Sequence, residues 1–185
     1  GNNQAEADDM GCRVAQAYTS RVNGVPNGRG GIFTASLFTL DHCFSLGRHT
    51  GATPDGRRKG AYIAKGIGAM TGLDRAGVTG QIQSVTKLDF TDVPNGSVLD
   101  LYIHPSAVDG DKGIRTLSGL VRTYFEQGGY AVQFNILNAD ELRRAQQDPE
   151  AYATLQVRVC GWNVYFVSLS EELQNHFIET TMQRV

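Results

Sequence analysis

Met10, Val14, Tyr18 and Val22 recur every four residues and form one stripe, which predicts a helix over Ala5 to about Val22. Asn23 to Gly31, dense in glycine and asparagine around Pro26, ends it as a loop. Ile32 to about Leu46 is mostly apolar and rich in β-formers, so a buried strand is expected there. Gly47 to Gly60 reads as a turn-rich loop centred on Pro54-Asp55-Gly56. From Ala61 to Thr86 no period survives Gly66, Gly68, Gly72, Gly77 and Gly80. Val98 to Ile103 predicts a strand after the Pro94-Asn95-Gly96 turn. Ile114, Leu117, Leu120, Val121, Tyr124 and Phe125 make a second helical stripe, stopped by Gly128-Gly129. Tyr130 to Leu137 predicts a strand, and Ala139 to Gln147 a short helix that ends before Pro149. A last helix is expected from about Glu171, with Ser170 as its N-cap and Glu171 and Glu172 where the helix dipole favours acids. Strands alternating with helices make an α/β class.

One segment breaks its own alternation. In Leu155 to Phe166 the apolar residues Leu155, Val157 and Val159 sit at odd positions, whereas Trp162, Val164 and Phe166 sit at even ones. A slip of one residue flips the faces of a strand, so Gly161 marks a bulge or a loop tip and not a mid-strand position. Two roles fit such a glycine. One is a backbone device that needs an unusual angle. The other is chemical: loss of a Cα hydrogen atom leaves a radical delocalised over the flanking amide nitrogen and carbonyl, and only glycine lets that centre flatten without a side-chain clash. A radical of this kind needs a dry wrapping, which bulky apolar neighbours can supply.

The bulk properties narrow the choice. A hydrophobic content of 41% and a charged content of 19% describe a globular chain of single-domain size. A formal net charge of −2 gives no footing for nucleic acid or an anionic membrane. No apolar run approaches the roughly 20 residues of a membrane span. The polar, acidic start from Gly1 to Asp9 does not resemble a signal peptide. Cys12, Cys43 and Cys160 are odd in number and dispersed, which fits a reducing cytoplasmic interior better than a disulfide framework.

Other chemistry finds little support. The glycines around Arg29-Gly30-Gly31 and Gly66-Ile67-Gly68 lack the strand–glycine–helix frame of a phosphate loop. Arg57-Arg58-Lys59 reads as a solvated rim. His42 and Cys43, adjacent in an expected strand, face opposite sides. His49, His104 and His176 are scattered, and no pair has a metal-ligand spacing, so no metal site is expected. No G-x-S-x-G elbow supports a serine nucleophile.

Arg158-Val159-Cys160-Gly161-Trp162-Asn163-Val164-Tyr165-Phe166 resembles the C-terminal signature of glycyl radical enzymes, the pyruvate formate-lyase-like family. The likeness extends along nearly the whole chain. Gly51 to Arg57, Ser84 to Asp89, Asn95 to Ser97 and His104 to Ala107 resemble successive family segments. So do Gly128 to Asn135, Leu142 to Gln146 and Asp148 to Glu150. The resemblance implies an incomplete C-terminal part of a ten-stranded α/β barrel over residues 1–137, followed by a glycine radical domain over residues 138–185. It implies that Gly161 stores the radical, with Arg158, Val159, Cys160, Trp162 and Phe166 around it in the radical loop. It implies no bound cofactor. The radical is instead installed by a separate activase that uses S-adenosylmethionine and an iron–sulfur cluster.

In that family the glycyl radical passes to a cysteine on a second loop, whose thiyl attacks substrate in C–C or C–O cleavage. None of the three cysteines fits that role: Cys12 lies in a predicted helix, Cys43 in a predicted buried strand, and Cys160 flanks the glycine. The catalytic cysteine is therefore expected on an N-terminal portion or subunit, and the complete enzyme is expected to be a homodimer. Gly1-Asn2-Asn3 resembles a mid-chain family segment. The chain is thus expected to be a fragment, one subunit of a divided enzyme, or a non-catalytic part that completes or repairs a partner.

Overall fold

The computed structural model describes residues 1–39, 42–70, 72–159 and 162–182 of the 185-residue chain. Two compact units emerge: residues 1–100 with 118–133, and residues 101–117 with 134–185. Among the described residues, no helix is long and apolar enough to cross a membrane.

The first unit opens with α1 (Ala5–Val22), whose bounds match its stripe. The stripe, however, faces outward. Met10, Val14 and Tyr18 are 52%, 62% and 41% exposed, while Asp8 and Thr19 are buried. Polar contacts seat the inner face. The Lys87 Nζ donates to Asp8 Oδ2 at 2.6 Å and to Asn3 Oδ1 at 2.8 Å. Burial pushes the Asp8 carboxyl up, but hydrogen bonds from Lys87 and Ser84 and the charge of Lys87 outweigh it and hold Asp8 below the ordinary range. Outside, Val14, Tyr18, Leu37, Phe38, Ile67 and Leu88 line an open groove of about 470 Å³. A contiguous apolar face of this kind favours association. The isolated chain is expected to sediment as oligomers, and the double change Val14→Lys, Tyr18→Lys to shift it towards monomer. A monomeric parent chain at micromolar concentration would contradict this.

The strand expected over Ile32 to Leu46 does not form among the described residues, which leave out Leu40 and Asp41. Its start makes an isolated bridge between Pro26 and Ile32, and Leu37 bridges to Ser97. His42 to Leu46 belong instead to α2 (His42–His49). Tertiary packing explains the change. Cys43 and Gly47, four residues apart and so on one helix face, are the buried pair. A Cβ on Gly47 would stand 2.6 Å from the Ala61 carbonyl oxygen, so only glycine lets the helix lie against that segment. His42 and Cys43 are consequently neighbours on a helix and not opposite faces of a strand.

Arg57 also departs from the sequence reading. It is buried, and its guanidinium donates to the carbonyls of Gly51, Arg58 and Ala61. It closes the turn-rich loop from within, whereas Arg58 and Lys59 stay exposed. In the region without a period, α3 (Gly77–Val85) forms, with its Gln81 amide donating to the buried Asp74 carboxylate at 2.7 Å.

β1 (Leu99–Ile103) and β2 (Val132–Ile136) pair as a two-stranded sheet, with α4 (Gly110–Glu126) between them in sequence. The predicted stripe does yield this helix, yet Ile114 and Phe125 are exposed and Tyr124 is fully buried. The Gly128-Gly129 stop has a steric basis. Gly128 has φ +88°, and a Cβ on Gly129 would meet the Tyr124 ring at 2.4 Å. The Tyr124 hydroxyl donates to the Ala131 carbonyl at 3.1 Å.

The second unit contains α5 (Ala139–Gln147), β3 (Gln156–Val159), β4 (Trp162–Tyr165) and α6 (Glu171–Met182). Asn138 caps α5 by accepting from the Asp140 and Glu141 amides. Tyr102, Leu142, Ala145, Val157, Phe166, Phe177 and Ile178 form one buried cluster, against which Leu155 and Val164 pack. Phe166 sits at its centre with no exposed surface. Phe166→Ala is expected to destabilise this unit by about 3–5 kcal/mol, the cost of lost burial plus a cavity. Denaturant unfolding monitored at this unit measures it, and a change under about 1 kcal/mol would contradict the packing.

Candidate functional site

β3 and β4 pair antiparallel, with Gln156 opposite Tyr165, Val157 opposite Val164, Arg158 opposite Asn163 and Val159 opposite Trp162. Each pair of partner numbers has an odd sum. An odd position on one strand therefore faces an even position on the other, and directly opposed residues share a face. This accounts for the slip in the sequence: Val157 and Val164 lie on one face because the chain reverses between them. The Phe166 amide extends the ladder by donating to the Leu155 carbonyl at 2.8 Å. Cys160 and Gly161 are the two residues between the paired strand ends and lie outside the described residues.

The hairpin is anchored at its base. Val157 and Phe166 are buried in the core of the second unit. Arg158 is exposed, and Trp162 is 58% exposed. The structure thus places Phe166 in the core, away from solvent, and Arg158 and Trp162 at the surface, with Val159 opposite Trp162. Beyond the base, a 3₁₀ turn over Phe166–Ser168 leads into α6. The Ser170 Oγ accepts from the Leu173 amide at 3.4 Å, as the expected N-cap.

One residue at this site had no signal in the sequence. Gln174 is buried, and its Nε2 donates to the carbonyls of Phe166 at 3.1 Å and Leu169 at 3.2 Å. A glutamine between apolar positions of a helix carries no pattern of its own, so only the fold could reveal it.

The described cysteines occupy packing positions. Cys43 is buried in α2, and the Cys12 thiol donates to the Lys87 carbonyl at 3.3 Å. Burial, with the charges of Asp8 and Asp9, raises the Cys12 thiol above its usual range. Among the described residues, no group of three or more His, Cys, Asp or Glu side chains could hold a metal ion.

Comparison with known proteins gives this hairpin its context. A family profile described as "Glycine radical" matches residues 63–167. The chain is 39% identical to the indoleacetate decarboxylase of Tractidigestivibacter scatoligenes over 184 residues, covering 98% of this chain and 21% of that enzyme. It superposes with a TM-score of 0.92 on the B12-independent glycerol dehydratase of Clostridium butyricum, at 41% identity over 97% of this chain and 23% of that one. A structure concerned with 1,2-propanediol dehydration in Roseburia inulinivorans superposes with a TM-score of 0.93, at 38% identity over 97% of this chain and 22% of that one. The chain spans about a quarter or less of the length of these relatives. Its fold is that of the corresponding region of those enzymes, and the "Glycine radical" match takes in the whole β3–β4 hairpin. The chain belongs to the glycyl radical enzyme family.

Proposed function

We propose that this chain is the radical-bearing C-terminal portion of an anaerobic glycyl radical enzyme, with Gly161 as the radical residue. The observation that carries this reading is the position of Gly161. It is the only glycine in the Gln156–Tyr165 segment, and it lies between the paired ends of a hairpin inside the "Glycine radical" match. A separate activase of the radical S-adenosylmethionine type, with an iron–sulfur cluster, takes one hydrogen atom from the Gly161 Cα. In turnover the Gly161 radical takes a hydrogen atom from a cysteine thiol on the remaining portion of the enzyme. The S–H bond breaks, the Cα–H bond re-forms, and the thiyl begins the chemistry on substrate.

Residues 1–137 contribute part of a ten-stranded α/β barrel, and residues 138–185 form the glycine radical domain of a cytoplasmic homodimer. Arg158, Val159, Cys160, Trp162 and Phe166 shape the radical loop. Phe166 supports this from below, buried in the core that carries the hairpin. The exposed Trp162 and the outward apolar stripe of α1 are surfaces that the remaining portion would cover. The reaction is a C–O or C–C cleavage, a reading supported by likeness to two proteins of diol or glycerol dehydration and to a decarboxylase. The experiment is electron paramagnetic resonance after anaerobic activation. A doublet-type signal centred on a carbon radical is expected, and its absence under conditions that activate a related enzyme would overturn the reading.

A further inference from the structure

The segment between the hairpin and the last helix looks like a pivot. It is a short turn followed by the extended Leu169, and α6 starts afresh after Ser170. The backbone is nevertheless bridged. Phe166 is the last rung of the hairpin ladder, with its amide held by Leu155. Its carbonyl, and that of Leu169 at the other end of the turn, both accept from the Gln174 side-chain amide. Gln174 is 9% exposed, so water competes little for these bonds. Phe177 and Ile178, one turn further along α6, are locked in the same core as Phe166.

We propose that Gln174 is a positioning residue of the radical hairpin. Its amide fastens the base of the hairpin to α6, so that the two move together when Gly161 is presented to a partner and return together to one resting place. This functional meaning rests on the reading of Gly161 as the radical site, whereas the brace itself does not. Without the brace the turn over Phe166–Ser168 becomes the pivot. The hairpin then swings independently of α6, and Gly161 spends more time away from its shelter.

The test uses the complete enzyme with Gln174→Met, which removes both donors at similar volume, and Gln174→Asn, which keeps the amide on a stem one methylene shorter. Hydrogen exchange is first read by peptide mass spectrometry without activation. Residues 162–169 are expected to exchange about tenfold faster in Gln174→Met, with α5 and the first unit unchanged and Gln174→Asn intermediate. After anaerobic activation, the radical of Gln174→Met is expected to decay severalfold faster on exposure to air, from an unchanged initial spectrum. Unaltered exchange over 162–169 would overturn the proposal. So would uniform loosening of residues 134–182, which marks a general packing role. If Gln174→Met does not fold, Gln174→Asn carries the same readings. Local loosening in a protein whose parent never forms a radical upholds the brace and assigns the failure to the reading of Gly161.

Discussion

Gly161→Ala is expected to abolish the radical signal of the activated protein and, with it, all turnover by the complete enzyme. The stabilisation of the radical depends on planarity. The unpaired electron overlaps the amide nitrogen on one side and the carbonyl on the other only when Cα and its substituents lie flat. A methyl group on a flattened Cα crowds the neighbouring carbonyl oxygen and amide, the same crowding that restricts every residue except glycine. It also replaces one of the two Cα hydrogens and narrows the approach of an activase. The flanking ladder from Gln156–Tyr165 to Val159–Trp162 should survive, because its register depends on residues outside Gly161. The loss is therefore chemical. The measurement is spin quantification after anaerobic activation, with thermal unfolding as a control for folding. An unchanged signal in the alanine variant would sink the assignment of Gly161.

The second large effect is expected in air. Dioxygen adds to a carbon-centred radical at close to the diffusion rate, and scission of the backbone follows. Gly161 has no side chain to cover its own Cα. Activated protein exposed to air should divide at Gly161 and leave Trp162 to Val185 as a separate peptide under denaturing conditions. Under native conditions the peptide should stay in place. β4 remains paired along β3, Phe166 and Phe177 remain in the core with Leu142 and Val157, and the Gln146 side chain still donates to Asn175 between α5 and α6. Intact-mass spectrometry should thus show two products where size exclusion shows one species, and non-activated protein should show neither change. A full-length mass that persists in a sample of known radical content argues against scission at Gly161. Early elution of a free peptide argues against its retention by the core.

These expectations draw on two different kinds of information. The short-range grammar of the chain was readable residue by residue. The four-residue spacing of α1, the Gly128-Gly129 stop of α4, the end of α5 before Pro149 and the Ser170 cap of α6 all depend on groups within a turn or two of one another. The parity slip across Gly161 was readable for the same reason, since a chain that reverses over two residues inverts the odd–even pattern of its faces. The family signature lies in that stretch, so the candidate radical residue could be named before any coordinates.

Long-range contact decided the rest. The apolar run from Ile32 to Leu46 has strand-like composition, yet α2 forms over its end because Gly47 packs against the backbone at Ala61 and Tyr62 and Cys43 is buried on the same helix face. Arg57 reads as a surface cation, yet three carbonyls of its own loop enclose it. The stripe of α1 shows where a helix is amphipathic, but which face meets this unit depends on Lys87 and Ser84, far along the chain. They seat the polar side and leave Met10, Val14 and Tyr18 in solvent. Gln174 became visible only when the fold brought the carbonyls of Phe166 and Leu169 to its amide. Hydrophobic periodicity reports what a segment can bury. The partner that it buries against is a property of the folded chain, because burial and hydrogen bonding act between groups that the sequence keeps apart.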